Sequence, residues 1–223
     1  MKPDNPEILF PLIVMVLFFG GVFGLWYYPR KKRLKAFKNI AGRIDVNFIK
    51  DGTKIILAEL KNFRSFNLGG NRPQHISNLL QGIHDGIHIS IFDYKYSDGF
   101  YVNRQSVIYF RNKTDLFSDF SLLPKDLSEE LDKKCNKLNS YHVFSRPWLP
   151  AGYRLLGPKG NDMRALMDRQ FLSHLENNKD FCVEGREKQL VFYRFCKVVQ
   201  PDKLPQFMDQ GIRIMRLIAK NKV

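Results

Sequence analysis

His84 and His88 stand four residues apart, a spacing that on one helix face would bring two imidazoles to a single metal ion. They flank Asp85-Gly86, however, the dipeptide of a two-residue type I′ hairpin turn. In that hairpin His84 lies opposite Ile87 and His88 opposite Ile83. Strand alternation then sends the two imidazoles to opposite faces, and no shared ion is expected. His75, His142 and His174 have no partner legible in the sequence. The three cysteines, Cys135, Cys182 and Cys196, form no CxxC pair, which argues against both a Cys-rich zinc site and a disulfide framework. Cys182 and Cys196 read as small buried hydrophobes facing each other across a hairpin.

Acid–base and anion chemistry have thin footings. Asp93 and Asp98 cluster with Tyr94 and Tyr96 around a second hairpin, and Gly157-Pro158-Lys159-Gly160 precedes a helix whose free amides and nearby Lys159 could take an anion. A ligand pocket built on these groups would use Asp93, Tyr94, Tyr96, Arg154 and Lys159. Hairpin ends are rich in such residues for conformational reasons alone, and the proline leaves the glycine loop as half a phosphate motif. There is no G-x-S-x-G elbow, no H-E-x-x-H and no G-x-x-x-x-G-K-[ST]. No catalytic residue, metal ligand or cofactor is therefore assigned.

The element that positions everything else is the uncharged run Ile8 to Tyr28, 21 residues long. At about 1.5 Å per residue, a helix of it just spans a bilayer core of about 30 Å. It is longer than a signal-peptide core and ends in Trp26, Tyr27 and Tyr28 rather than at small residues. These aromatics suit the headgroup region, so the run reads as an uncleaved anchor. Arg30, Lys31, Lys32, Arg33, Lys35 and Lys38 follow directly, whereas Lys2, Asp4 and Glu7 precede. Positive residues stay on the cytoplasmic side, which predicts a single-pass membrane protein with its N-terminus outside and residues 30–223 in the cytoplasm. Gly20 and Gly24 form a small-xxx-small spacing that would let a second span approach, giving a homo-oligomer.

The net charge of +14 fits an anionic membrane surface better than nucleic acid, for which no recognition motif is present. With 44% hydrophobic and 13% aromatic residues the remainder is globular.

Beyond the anchor, apolar positions Leu34, Phe37, Ile40, Ala41, Ile44 and Phe48 predict a basic helix over residues 30–48. Residues 54–60 fit a strand or a helical turn, and 61–76 a loop. Strands are expected at 77–84, 87–96 and 100–110, with a bulge near Ile91-Phe92 or burial of both faces, because the apolar face switches there. Helices follow at 125–138 and 162–177, the second capped by Asn161 or Asp162. The strand Phe181 to Glu184 and its partner Gln189 to Val199 form a hairpin, and Asp202 caps a last helix. The expected fold class is α+β: a transmembrane helix, then a cytoplasmic domain of hairpin-built antiparallel sheet with packed helices. The Pro- and Gly-punctuated stretch from Pro147 to Pro158 suggests three parts, 1–29 (anchor), 30–150 (basic helix and β-meander) and 151–223 (second lobe).

The run GIHDGIHISIFDYKY, then QSVIYF and FSDFSLLPKDL, resembles a family of uncharacterised bacterial single-span membrane proteins. The matching positions are Gly82, Gly86, Phe92, Asp93, Tyr94, Tyr96, Gln105, Ser106, Val107, Phe120, Leu122 and Pro124. The spacing Ser121-Leu122-Leu123-Pro124 departs from the pattern. The resemblance implies a location in a bacterial inner (cell) membrane and a shared fold, and no reaction. The function expected is a membrane-anchored interaction or scaffold protein without catalysis, whose partners are the lipid bilayer and a further protein. The alternatives are an enzyme or sensor acting on an anionic membrane-proximal ligand, and a small subunit of a larger membrane complex.

Overall fold

The computed structural model describes residues 6–67, 72–84, 86–97, 99, 101–112, 119–134, 142–144, 148–158 and 169–220. Helix α1 (Pro6–Ile44) is 39 residues long and runs unbroken through Pro11 and Pro29. Its two halves differ in surroundings. Leu12 to Phe19 are each about half exposed or more, while Phe37, Ile40 and Ala41 are buried. Among the described residues it is one helix long and apolar enough to cross a membrane. The basic segment continues the helix as expected but stops at Ile44, short of residue 48. Asp45 adopts a left-handed conformation (φ 51°), and the Val46 amide donates to the Ala41 carbonyl at 3.1 Å, the six-to-one bond of a Schellman stop. Phe48 therefore belongs to a strand.

That strand, β1 (Asn47–Asp51), opens a sheet that among the described residues is nine-stranded and antiparallel, with β2 (Gln74–His84), β3 (Ile87–Ser97), β4 (Val102–Arg111), β5 (Phe120–Pro124), β6 (His142–Phe144), β7 (Tyr153–Gly157), β8 (Phe181–Arg186) and β9 (Gln189–Arg194). Their order is β1-β2-β3-β4-β9-β8-β5-β7-β6. The C-terminal hairpin β8–β9 thus lies between β4 and β5, and β5 pairs with strands from beyond residue 150 on both sides. The sheet is continuous across the Pro147 to Pro158 stretch.

Helices cover both faces. On one, α1, α4 (Arg169–Glu176) and α5 (Leu204–Lys220) bury Phe37, Phe171, Leu175, Phe207 and Met215 against Ile89, Ile91, Ile108 and Phe192. On the other, α2 (Thr53–Leu60), a 3₁₀ turn (Arg64–Asn67) and α3 (Lys125–Lys134) bury Ile56, Phe63, Phe66 and Leu131 against Phe92, Tyr94, Val107 and Tyr193. Burial on both sides explains the apparent switch at Ile91-Phe92: β3 alternates regularly, with a core on each face. The bulge sits instead on its partner. Register slips between Ser77 and Leu80, where Asn78 has φ 54°.

Residues 53–60 resolve to helix because Ile56 and Leu60, four apart, share the buried face. Asp202 lies inside a 3₁₀ turn (Pro201–Lys203) that leads into α5, not at the helix cap. Two close approaches to or from the sheet pass over glycines. An ideal Cβ on Gly82 would stand 2.6 Å from Val46 Cγ1, and one on Gly211 2.6 Å from Ile108 Cδ1.

Candidate functional site: the junction of the apolar helix and the sheet

Five residues past Tyr28, Arg33 turns away from the other cations of the basic segment and reaches the sheet. Its Nε donates to Asp93 Oδ2 at 2.5 Å and its Nη2 to Asp93 Oδ1, a two-pronged pair. Nη2 also donates to Ser106 Oγ at 2.9 Å and Nη1 to the Val199 carbonyl. Both side chains are shielded, with 14% and 13% of their surface exposed. The bulge supplies a further donor: Asn78 Nδ2 lies 2.9 Å from Asp93 Oδ2. Ser106 Oγ donates to Asp93 Oδ1 at 3.1 Å and accepts from the Val199 amide at 3.0 Å. With Arg33 also donating to it, that hydroxyl has one donor and two acceptor sites filled. Asp93 accepts four bonds from four donors. It holds α1, β2, β3, β4 and the segment after β9 together and has no lone pair poised to take a proton from a substrate.

Around this clamp, Arg30, Lys31, Lys32, Lys35 and Lys38 are exposed. Tyr27 is 51% and Tyr28 70% exposed, and Tyr27 stacks on Phe23 with centroids 5.8 Å apart. Gly20 has open space where a Cβ would stand. The side chain of Trp26, the surroundings of Gly24, and residues Lys159, Asp98, Cys135 and 161–168 lie outside the described residues.

Asp93, Tyr94, Tyr96 and Arg154 do not share a pocket. Adjacent strand residues point to opposite faces, so Asp93 faces α1 while Tyr94 and Tyr96 stack on each other in the opposite core. Burial raises both phenols above their ordinary range. Arg154, on β7, pairs with Glu129 and Asp132 of α3 at 3.1 and 3.4 Å. Two further expectations concern histidine and cysteine. The register pairs Ile83 with His88 and His84 with Ile87, placing the imidazoles on opposite faces. Cys182 lies opposite Tyr193, not Cys196. Cys196 sits past the end of β9, exposed, because that strand ends at Arg194 rather than at Val199.

Sequence reasoning missed Glu184. It is fully buried on β8. Its Oε2 accepts from the Arg64 amide at 3.0 Å and from Ser121 Oγ at 2.9 Å; Oε1 accepts from the Ser65 amide and Tyr193 Oη, each at 3.3 Å. The carboxylate thus receives the first amides of the 3₁₀ turn and ties that turn to the sheet. Burial pushes its pKa up, against the lowering effect of those hydrogen bonds. The available signal was an acidic residue directly after the apolar run Phe181-Cys182-Val183.

No protein-family model matches the chain, and no curated protein matches it. Among solved structures it is similar to the crystal structure of the mycobacterial trehalose monomycolate transport factor A, TtfA. The identity is 14%, the TM-score 0.58, and the match covers 85% of this chain and 92% of that one. The likeness is one of fold: a large antiparallel sheet with packed helices.

Proposed function

We propose that the chain is a membrane-anchored interaction protein without catalysis. Its span is the exposed apolar half of α1, and its cytoplasmic domain is held at a fixed height and angle above the bilayer. The observation that carries this reading is the clamp: α1 leaves its apolar segment without a break and is bolted to the sheet by Arg33 and Asp93 within about two turns of Tyr28. A flexible tether would suffice for mere retention at a membrane, whereas a rigid one presents a surface in a set orientation. Saturation of Asp93 and scattering of the other polar candidates favour a scaffold over an enzyme. The name of the structural neighbour, a transport factor, is compatible with an accessory role at a membrane, and fold alone carries that no further. The exposed cations after the span favour the cytoplasmic side, and Gly20 and Gly24 offer a surface for a second span.

Reporters fused to each terminus test the orientation. A C-terminal reporter active in the cytoplasm is expected, and one active only outside it overturns the reading. Crosslinked capture from native membranes, comparing the intact chain with one lacking residues 1–29, tests the role. A protein partner recovered with both supports the scaffold. Recovery with the intact chain alone makes this a subunit docked through its span, and no partner with either returns weight to a ligand-binding function.

A further inference from the structure

An open cleft of about 350 Å³ on the surface where α4 meets α5 is lined by Arg169, Gln170, Ser173, His174, Asn177 and Arg213. Its composition departs from that of the rest of the domain. Phe171 and Leu175 turn α4 inward, so the residues three and four apart on its other side form a polar wall. Among the described residues, no carboxylate lines the cleft. Arg33, Arg64, Arg111, Arg154, Arg186 and Arg194 each meet an aspartate or glutamate. Arg169 and Arg213 meet none among the described residues, although Asp209 stands one turn before Arg213 on α5. Two guanidiniums from different helices thus face one space with no counter-charge among the described residues. Ser173 and Gln170 add neutral donors. Asn177 Nδ2 is already engaged, donating to the Ser173 carbonyl at 2.9 Å. His174, whose ring packs against Phe181, has a buried Nε2 without a hydrogen-bond partner. Burial and the positive charges of Arg213 and Arg194 lower its pKa, so the ring adds no charge of its own near neutral pH.

We propose that this cleft is a binding site for a phosphate group, free or on a lipid headgroup, with Arg169 and Arg213 as its charged clamp. Guanidinium is the side chain whose planar fork matches phosphate oxygens, and two of them left unpaired at one place are complementary to a dianion. Nothing in this site depends on the clamp at Asp93 or on the anchoring role of α1.

The test is a titration of inorganic phosphate into the full chain held in a maltoside detergent, which carries no phosphate, at low ionic strength. The expected result is saturable binding that weakens at least about tenfold in Arg169→Gln/Arg213→Gln, the worth of even one of the two charge-assisted contacts removed, and is unchanged in Arg104→Gln, an exposed cation on β4. An unchanged melting temperature of the double variant shows that the loss is not unfolding. Non-saturable uptake, or equal weakening by Arg104→Gln, overturns the proposal, because binding would then follow net charge. Phosphatidylglycerol nanodiscs assign the source. If added phosphate no longer binds there, a headgroup already fills the cleft. If it binds as before, the ligand is soluble.

Discussion

Arg33 and Asp93 lie 60 positions apart in sequence and meet through two parallel hydrogen bonds, one residue sitting just past an apolar helix segment and the other in the third strand of the sheet. Breaking a shielded pair from one side leaves an uncompensated charge, at a cost of about 3–5 kcal/mol. Arg33→Met should therefore destabilise the chain by that order in detergent, read by chemical denaturation, and Asp93→Leu similarly. The double variant should recover much of the loss, because it leaves no buried charge unpaired. Additive losses would show that the two residues act separately.

The pH dependence of stability should carry the mark of Glu184. Its pKa is raised by burial above the usual carboxylate value of 4.5, so the folded state holds a proton that the unfolded state has already released. Stability from this group is then present at acid pH and is lost as pH climbs from about that value through the raised one. Glu184→Gln should remove this loss, and the two stability curves should converge at low pH. Parallel curves across the range would rule out titration of this carboxyl.

Where α1 gives way to β1, Val46 occupies the space that a side chain on Gly82 would need. Gly82→Leu should cost about 1–3 kcal/mol by overpacking, and more than Gly86→Leu would through packing alone, since Gly86 has open space around it. Gly86 has φ 78°, so its own loss would come from backbone strain. Combining Gly82→Leu with Val46→Ala should restore part of the stability, which thermal melts would read.

Charge removal tests the membrane orientation independently of the clamp. Replacing Arg30, Lys31, Lys32 and Lys35 by Gln, while keeping Arg33, should lower the fraction of molecules with a cytoplasmic C-terminus, because cations flanking a span set its direction. Reporter activity at the two termini gives the fraction directly.

How much of this was written in the sequence depends on whether a residue's role is local. Asp85-Gly86 determines a turn, and the pairing of His84 with Ile87 follows from it. The buried face of α5 follows from Leu204, Phe207, Met208, Met215 and Ile218. Strand β5, by contrast, is buried from Phe120 to Leu123, and a strand covered on both sides loses the alternation that identifies one. The bulge at Asn78 brings its amide to Asp93, 15 positions away, a pairing that the alternation of β2 does not reveal. Arg33 was legible only as one cation among several. What sets it apart is the helical phase that turns it toward the sheet with Phe37, and that phase becomes visible once α1 is docked. Glu184 is the same kind of case, a long-range tie between the Arg64–Asn67 turn and β8 that no window of sequence contains.

The strand order has a consequence for how the molecule is made. β4 acquires its second neighbour only when β9 arrives, and β9 ends at Arg194. A ribosome must therefore release the chain through Arg194 before the middle of the sheet can close, long after α1 has emerged. Until then, a half-built sheet ends in β4, whose stretch from Gln105 to Phe110 is buried in the finished fold. Such an edge is a template for wrong pairing. The interval between the release of β4 and that of β9 is thus the one in which nascent chains are most exposed to one another.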